Sequence, residues 1–282
     1  MDKVEIFEVG PRDGLQNEKR LIPTEEKIAL VDVLSRVGFR RIEVASFVSP
    51  KWVPQMADSA EVLAGIQRGA GISYAALTPN MMGFERAIEA RADEVAIFGS
   101  ASEGFSKANI NATIEESLER FRPVAEAAKE AGIPVRGYVS CVVECPYDGA
   151  VDPGAVSYVV EKLRDVGCYE VSLGDTIGRA VPEKMDAMLA AVLDVAPAEQ
   201  LAGHFHDTSG RALENVSVAL ERGLRVFDAA VGGLGGCPYA PGAAGNVATG
   251  AVAQHVEALG YATGLDQGLL EEAAVMARAM RG

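Results

Sequence analysis

Apolar and polar positions along the chain form two alternating patterns. Short runs rich in Val, Ile and Ala, of a length typical of buried strands, alternate with longer stretches in which apolar residues recur at helical spacing. The short runs predict strands at Val4–Val9, Arg41–Ala45, Ser73–Leu77, Glu94–Phe98, Val135–Val139, Glu170–Leu173, Leu201–His206 and Val226–Val231. The longer stretches predict helices at Thr24–Val37, Val53–Ile66, Gly83–Arg91, Ile114–Ala131, Pro153–Val166, Pro182–Val195, Ala212–Arg222 and Val247–Leu259.

The order of these elements predicts the architecture. Strand–helix units follow one another without a charge-rich or Pro/Ser-rich linker, which favours an α/β fold, the (β/α)8 TIM barrel, as a single domain over residues 1–282. A last stretch, Asp266–Met280, predicts an extra C-terminal helix outside the barrel or across one end. The alternative is an open doubly wound sheet, which normally places a phosphate-binding loop after its first strand. The first loop, Gly10–Gly14, lacks that dinucleotide fingerprint.

Composition and charge restrict the class of partner. The chain has 282 residues, 49% of them hydrophobic and 23% charged, which is a globular composition that allows one large core. Its formal net charge of −14 argues against nucleic acid or an anionic membrane as a partner, because both require a basic surface. No apolar run approaches the ~20 residues of a membrane-spanning helix, and the first predicted strand begins close to Met1. We therefore expect a cytoplasmic protein that acts on a small molecule.

The four cysteines differ in their surroundings and are too few for a disulfide scaffold. We expect Cys141, Cys145 and Cys168 to be structural thiols, since no second pair of ligands completes a zinc site with the first two. Cys237 instead lies in a glycine-rich loop after the last predicted strand, where a thiol can reach a ligand as a proton donor or a nucleophile. A phosphate cradle is the alternative for this loop, but no Walker lysine accompanies it.

Two histidines on one predicted strand indicate a metal site. His204 and His206 are separated by one residue, so both rings project from the same face of the strand. The chain has three histidines in all, and the carboxyl ends of barrel strands share one active-site face. Asp13, after the first strand, is the favoured carboxylate ligand. Two histidines and one carboxylate also suit non-haem iron, and a pair of hydrogen-bonded core histidines is the alternative.

Three more charged residues are expected on the same face. Arg12 offers a planar fork of donors that suits a developing oxyanion or a carboxylate, and an ion pair with Glu43 or Asp175 is its alternative role. For Glu43 we favour orienting Arg12 or a metal ligand over acid–base work on a substrate. Asp175, at the end of the sixth strand, is either a site residue or the N-cap of the following helix.

Several segments match the motifs of one known family. They are Gly10–Glu18, Ile42–Val44, Ser49–Met56, Phe105–Lys107, Ser172–Gly178, His204–Thr208 and Gly233–Ala240. On these segments the chain resembles the 3-hydroxy-3-methylglutaryl-CoA lyases, which are TIM-barrel metallolyases with an Arg-Asp motif after the first strand. The resemblance covers nearly the whole chain. Its most specific element is the glycine–cysteine loop, which is similar to that of the lyases and not to that of the related condensing synthases.

The resemblance implies a set of ligands and a reaction. It implies Mg2+ or Mn2+, and no nicotinamide, flavin or PLP, with the ion held by Asp13, His204, His206 and Asn246. A base, His204 or Asp175, would take the proton of the substrate's tertiary hydroxyl, and cleavage of the carbon–carbon bond would release acetoacetate and the enolate of acetyl-CoA. Cys237 would then protonate that enolate.

The resemblance also implies contacts with the acyl-CoA and a biological setting. Arg12 would face the thioester oxygen, and the residues expected to bind substrate are Arg12, Gln16, Lys107 and Asn109. Lys107 and Asn109 are expected at the nucleotide end, with a solvated surface lysine as the alternative for the first. A homodimer and a place in leucine breakdown follow from the family alone.

Three alternatives stay open. Phe205, Gly203 and the segment 248–250 depart from the family pattern, so a related enzyme could act on another 3-hydroxyacyl-CoA. A Claisen-type synthase of the same superfamily would be expected to carry Glu in place of Leu15. A non-catalytic CoA- or metabolite-binding barrel gives no reason for a histidine pair and a loop thiol to converge on one face.

Overall fold

Eight parallel strands close into a barrel in which each strand pairs with its neighbours in sequence, and the last pairs with the first. The computed structural model describes residues 2–235 and 245–281. The barrel strands are β1 Glu5–Glu8, β2 Arg41–Ser46, β3 Ser73–Leu77, β4 Glu94–Ser100, β5 Val135–Ser140, β6 Glu170–Asp175, β7 Leu201–Phe205 and β8 Val226–Ala229. This confirms the predicted TIM barrel, and the bounds of each strand agree with the predicted ones to within two residues.

Helices cover the outside of the barrel. They are α1 Thr24–Val37, α2 Ser59–Gly65, α3 Met81–Glu89, α4 Glu103–Ile110, α5 Ile114–Ala131, α6 Pro153–Asp165, α7 Pro182–Leu193, α8 Ala212–Glu221, α9 Thr249–Ala258 and α10 Gln267–Met280. The extra C-terminal helix is therefore confirmed. It packs against α1 and against a short 3-10 turn, Val231–Gly233, that follows β8. Its residues Ala273 and Ala277 are fully buried.

Two elements differ from the prediction. The predicted helix Val53–Ile66 is a short 3-10 turn at Pro54–Met56 followed by α2, so the apolar spacing correctly indicated helix but missed the break. Helix α4 was not predicted, because it is short and includes Gly104. It forms nonetheless because the Ser102 hydroxyl accepts the Phe105 backbone N–H and so caps its first turn.

The barrel interior contains charged side chains as well as the aliphatic residues that usually fill it. Arg136 on β5 is fully buried and donates two hydrogen bonds to the carboxylate of Asp228 on β8, at 2.7 and 3.0 Å. Its Nε donates to Glu170 on β6 at 2.7 Å. The guanidinium lies 4.4 Å from the centre of the Phe7 ring and 5.0 Å from that of Tyr138. This cation thus joins three strands of the barrel.

Cys141, Cys145 and Cys168 are buried free thiols, as expected of structural cysteines. Within the described residues, no helix has the length and apolar character needed to cross a membrane.

The buried ion pairs predict a large effect of removing Arg136. Arg136→Met keeps much of the side-chain volume but leaves the buried carboxylate of Asp228 without its arginine, so we expect the free energy of unfolding to fall by about 3–5 kcal/mol. Urea unfolding followed by circular dichroism measures this change. The matched control is Arg222→Met, which breaks the exposed pair with Asp186 and should leave stability unchanged. Equal urea midpoints for Arg136→Met and wild type would contradict the structural role.

Candidate active site

The turn after β1 places two charged side chains together. Gly10–Gly14 form one turn of π-helix with Pro11 at its start. Arg12 donates from Nε to Glu43 Oε2 at 2.6 Å and from Nη1 to Asp13 Oδ1 at 2.7 Å. Glu43 is fully buried on β2, and this contact makes it the residue that orients Arg12, the role that we favoured for it.

The Arg12–Asp13 contact fixes the charges of both residues. Burial tends to lower the pKa of Arg12, but Glu43 and Asp13 raise it above its ordinary value, so the guanidinium stays charged. Burial likewise tends to raise the pKa of Asp13, but Arg12, His204 and the other neighbouring groups lower it to about 2. The turn therefore presents a permanent cation beside a permanent carboxylate.

The two histidines lie opposite this carboxylate. His204 is in β7 and His206 follows its last residue, and their ring centres are 5.5 Å apart. His204 Nε2 lies 3.7 Å from Asp13 Oδ2. One ligand atom from each of Asp13, His204 and His206 falls within 4.8 Å of the other two. The structure thus brings together the three residues that the sequence suggested as metal ligands.

His206 supplies the observation that tests whether these residues suit a cation. Its Nδ1 is buried and has no hydrogen-bond partner among the residues that the structure describes, which is costly for a polar atom unless something else binds it. Burial and the neighbouring His204 lower the pKa of His206 to about 4, against the opposing effects of Asp13 and a hydrogen bond to the backbone of Thr176. A neutral imidazole with a free nitrogen beside a carboxylate is a suitable ligand set for a divalent ion.

Backbone pairing brings Asn246 to the same place. Asn246 forms an antiparallel bridge with His206, and the flanking hydrogen bonds are Asp207 N to Gly245 O at 2.7 Å and Val247 N to Phe205 O at 3.1 Å. Its side-chain Nδ2 donates to Asp13 Oδ2 at 2.7 Å. Asn246 thus contacts the carboxylate of Asp13 and lines the same cavity as the three candidate ligands.

His204 has a carboxylate partner that the sequence analysis missed. Its Nδ1 lies 3.0 Å from Asp228 Oδ2, and Asp228 also accepts hydrogen bonds from Arg136 and from the Ser172 hydroxyl, the latter at 2.7 Å. Burial opposes it, but Arg136 holds the pKa of Asp228 well below its usual range. The available signal was a charged residue in the middle of the apolar run 226–231, because a buried charge requires a partner.

A cavity of about 310 Å³ opens beside these residues. Arg12, Asp13, His204, His206 and Asn246 form one side of its lining. The remaining lining residues include Gln16, Leu77, Phe98, Phe105, Asn109 and Tyr138.

The expected substrate contacts occupy different positions. Gln16 Nε2 lies 3.4 Å from Asp13 Oδ1, at the edge of the ligand cluster. Asn109 and Lys107 are both exposed on the unpredicted helix α4, and of the two it is Asn109 that lines the cavity. The structure thus brings Gln16 and Asn109 to the cavity and leaves Lys107 on the surface of the same helix.

Asp175 ends β6 as predicted, but it does not cap a helix. Helix α7 begins at Pro182, after Val181, and the Asp175 carboxylate instead accepts the backbone N–H groups of Arg179 and Ala180 at 3.3 and 2.9 Å. Burial raises the pKa of Asp175 to about 6 despite these hydrogen bonds. The N-cap alternative was wrong, because six residues separate Asp175 from the first residue of the helix.

Glu8, another residue missed from sequence, holds the surrounding loops. It is fully buried at the end of β1. Its Oε1 accepts the backbone N–H groups of Gly10 and Val231, both at 2.8 Å, and its Oε2 accepts the Thr249 hydroxyl at 2.6 Å. One carboxylate thus ties the Arg12–Asp13 turn to the turn after β8 and to the start of α9.

Two departures from the family pattern lie outside the cavity. A Cβ atom at Gly203 would lie 2.8 Å from the Phe205 ring and 3.0 Å from the Phe227 ring. Phe205 is buried in the hydrophobic core, and neither it nor Gly203 lines the cavity. The small residue and the large one compensate each other on the outer face of β7.

Cys237 lies outside the described residues. The residues on either side of the segment that contains it, Gly235 and Gly245, are hydrogen bonded to each other at 3.1 Å. Gly235 has a φ of 98°, and a Cβ atom there would lie 2.9 Å from Asn246 Nδ2. Both ends of this segment therefore adjoin the ligand cluster.

Fold and site together define a class: an α/β barrel with a candidate divalent-metal centre at the carboxyl ends of its strands. The chain belongs to the HMGL-like family, whose model matches residues 3–276.

Three relatives show how close the similarity is. The chain is 56% identical over 279 residues to the mitochondrial hydroxymethylglutaryl-CoA lyase of Bos taurus, covering 99% of this chain and 86% of that one. It is 56% identical over 271 residues to the 3-hydroxy-3-isohexenylglutaryl-CoA/hydroxymethylglutaryl-CoA lyase of Pseudomonas aeruginosa, covering 96% and 90%. The crystal structure of the HMG-CoA lyase from Brucella melitensis superposes with a TM-score of 0.99 at 62% identity, covering 100% of this chain and 99% of that one.

The burial of Glu8 predicts a pH-dependent stability. Burial raises the pKa of Glu8 from 4.5 to about 7, so the folded protein binds this proton more tightly than the unfolded chain, and stability falls as the pH rises between these values. At 1.36 kcal/mol per pH unit the loss is about 3 kcal/mol. Glu8→Gln can keep all three hydrogen bonds, with its amide donating to Thr249, and it removes the titrating group.

Between pH 4.5 and pH 7, we expect the unfolding free energy of wild type to fall by about 3 kcal/mol relative to that of Glu8→Gln. Urea unfolding of both proteins across this range measures the difference. Glu271→Gln, at an exposed position on α10, is the matched control and should follow wild type. Parallel pH profiles for wild type and Glu8→Gln would show that Glu8 does not titrate in this range.

Proposed function

We propose that the protein is a divalent-metal-dependent carbon–carbon lyase that cleaves 3-hydroxy-3-methylglutaryl-CoA to acetyl-CoA and acetoacetate. The observation that carries the proposal is the convergence of Asp13, His204 and His206 with the cation of Arg12 on one cavity. Membership of the HMGL-like family and the names of the close relatives support it.

The resident ion in this proposal is Mg2+ or Mn2+. Asp13, His204, His206 and Asn246 would hold it, and the buried unpartnered Nδ1 of His206 supports this assignment. The bound ion would supply a Lewis acid that lowers the pKa of the substrate hydroxyl and orients the substrate's oxygens.

Arg12 stabilises the negative charge that develops on the thioester oxygen as the carbon–carbon bond breaks. Glu43 and Asp13 hold its guanidinium in place before substrate arrives, so little reorganisation is needed during the reaction. Because the residue is buried, its charge acts in a medium of low dielectric, where it is more effective than in water.

Two residues are candidates for the base that takes the hydroxyl proton. Asp175 has a suitable pKa of about 6, close to the range in which a carboxylate accepts a proton at neutral pH and can release it again. His204 lines the cavity, but it can accept this proton only while its Nε2 is not bound to the metal, so Asp175 is the candidate compatible with His204 as a ligand. Cys237 then protonates the enolate, a role supported by the position of Gly235 and Gly245 beside Asn246.

The acyl-CoA would enter with its nucleotide toward α4, where Asn109 and Lys107 are exposed. A homodimer, a cytoplasmic location and a place in leucine breakdown complete the proposal, on family resemblance alone. The name of the Pseudomonas aeruginosa relative includes two substrates, one with a 3-isohexenyl group in place of the 3-methyl group. We therefore propose a 3-hydroxyglutaryl-CoA with a longer 3-substituent as a second substrate to test.

The reaction can be tested directly. We expect release of acetoacetate from 3-hydroxy-3-methylglutaryl-CoA in the presence of Mg2+ or Mn2+, and loss of that release when EDTA removes the ion, because the Lewis acid is then absent. A coupled assay of acetoacetate measures turnover, and re-addition of Mn2+ to the chelated protein is the control for irreversible damage. A folded, metal-loaded protein that releases no acetoacetate from 3-hydroxy-3-methylglutaryl-CoA would refute the proposal.

Two variants test the residues assigned to the chemistry. Arg12→Gln and Cys237→Ala should each lower kcat by ~100-fold or more, since one removes the charge that stabilises the enolate and the other removes its proton donor. Binding of Mn2+, measured by electron paramagnetic resonance, should change little in either variant.

Matched controls are Arg20→Gln, which removes an exposed ion pair with Glu26, and Cys168→Ala, which removes a buried thiol on the outside of the barrel strands. Both should turn over within a few-fold of wild type. Turnover at that level by Arg12→Gln or Cys237→Ala would remove the corresponding residue from the mechanism.

A further inference from the structure

The two ring nitrogens of His204 face different partners. Nε2 lies 3.7 Å from Asp13 Oδ2, on the side of the metal-ligand cluster, whereas Nδ1 lies 3.0 Å from Asp228 Oδ2, inside the barrel. We propose that Asp228 is a positioning residue that holds the Nδ1 proton of His204 and so presents the Nε2 lone pair to the metal. The proposal rests on the metal centre of the proposed function.

The donors around Asp228 determine the direction of this hydrogen bond. Arg136 donates to both carboxylate oxygens, and the Ser172 hydroxyl donates to Oδ2. A carboxylate that receives both arms of a guanidinium is ionised and can only accept further hydrogen bonds. His204 must therefore be the donor, which places a proton on Nδ1, so that in the neutral ring the lone pair lies on Nε2.

The position of Asp228 is itself fixed by the barrel. The register of the parallel strands pairs Asp228 on β8 with His204 on β7, and Arg136 on β5 with Glu170 on β6. The Arg136–Asp228 ion pair connects these two pairs of residues across the barrel interior. The side chains of Arg136, Asp228 and Glu170 are at most 5% exposed and that of His204 is 11% exposed, so His204 has little freedom to turn its ring or exchange its partner.

Histidine tautomers can be read directly. The metal-free protein labelled with 15N-histidine contains three rings, and variants His206→Asn and His255→Asn remove two of the three signals for assignment. We expect the long-range 1H–15N spectrum to show His204 as the neutral Nδ1–H tautomer before any metal is added. A neutral ring that carries its proton on Nε2 would overturn the proposal.

Metal affinity provides the second test. Asp228→Asn either weakens the hydrogen bond to Nδ1 or turns its amide toward His204 and forces the proton onto Nε2, so we expect Mn2+ to bind about 10–100-fold more weakly. The matched control is Glu170→Gln, which removes a carboxylate from the same Arg136 but does not contact His204. Its Mn2+ affinity should remain within about threefold of wild type.

The two variants separate positioning from general damage. Equal weakening of Mn2+ binding in Asp228→Asn and Glu170→Gln would show that loss of the ion-pair network, and not of the His204 contact, is responsible, and it would overturn the proposal. Wild-type affinity in Asp228→Asn would do the same. If Asp228→Asn does not fold, the tautomer of His204 in the wild-type protein still decides the matter.

The outcomes also separate this proposal from the lyase function. Wild-type protein that binds no Mn2+ would remove the metal centre and with it the proposed reaction. Wild-type protein that binds Mn2+ but carries the Nε2–H tautomer when metal-free would leave the reaction standing and remove only the role of Asp228.

Discussion

A buried cation determines the arrangement of the barrel interior. Arg136 is fully buried, and a charge at that depth is stable only if it is paired and its donors are satisfied. Asp228 and Glu170 supply the pairing, and the ring centres of Phe7 and Tyr138 lie 4.4 and 5.0 Å from the guanidinium. The consequence for function is indirect, because the carboxylate that neutralises Arg136 is also the one that contacts His204.

The site is held by two kinds of buried carboxylate. Asp228 and Glu43 are each paired with an arginine, and this contact fixes the orientation of the residue that each carboxylate binds. Glu8 has no cation among the contacts that the structure describes for it, and it is stabilised by backbone N–H groups and a hydroxyl. The first kind orients charged or metal-binding side chains, and the second joins the loops that carry them.

Hydrophobic periodicity was sufficient to predict the barrel, the order of its strands and the C-terminal helix. The metal-ligand candidates were also accessible from sequence, because alternation along β7 directs His204 and His206 to one side. The partners across the barrel were not, since the contact of Arg136 with Asp228 joins residues 92 positions apart and depends on how the sheet closes. A buried charge in an apolar run shows that a partner exists without identifying it.

Helix α4 was missed for a related reason. Its apolar face is short, and its formation depends on the Ser102 cap and on packing that the sequence pattern does not display. The consequence is functional, because Asn109 on this helix lines the cavity.

The outer and inner faces of β7 can change independently. Gly203 and Phe205 depart from the family pattern, but the Phe205 ring fills the space that a side chain at Gly203 would need, and the pair packs on Phe227 away from the cavity. Alternation places His204 and His206 on the opposite face, where their contacts are with Asp13 and Asp228. In this chain, Phe98 and Leu77 line the cavity, whereas the residue between the two histidines does not.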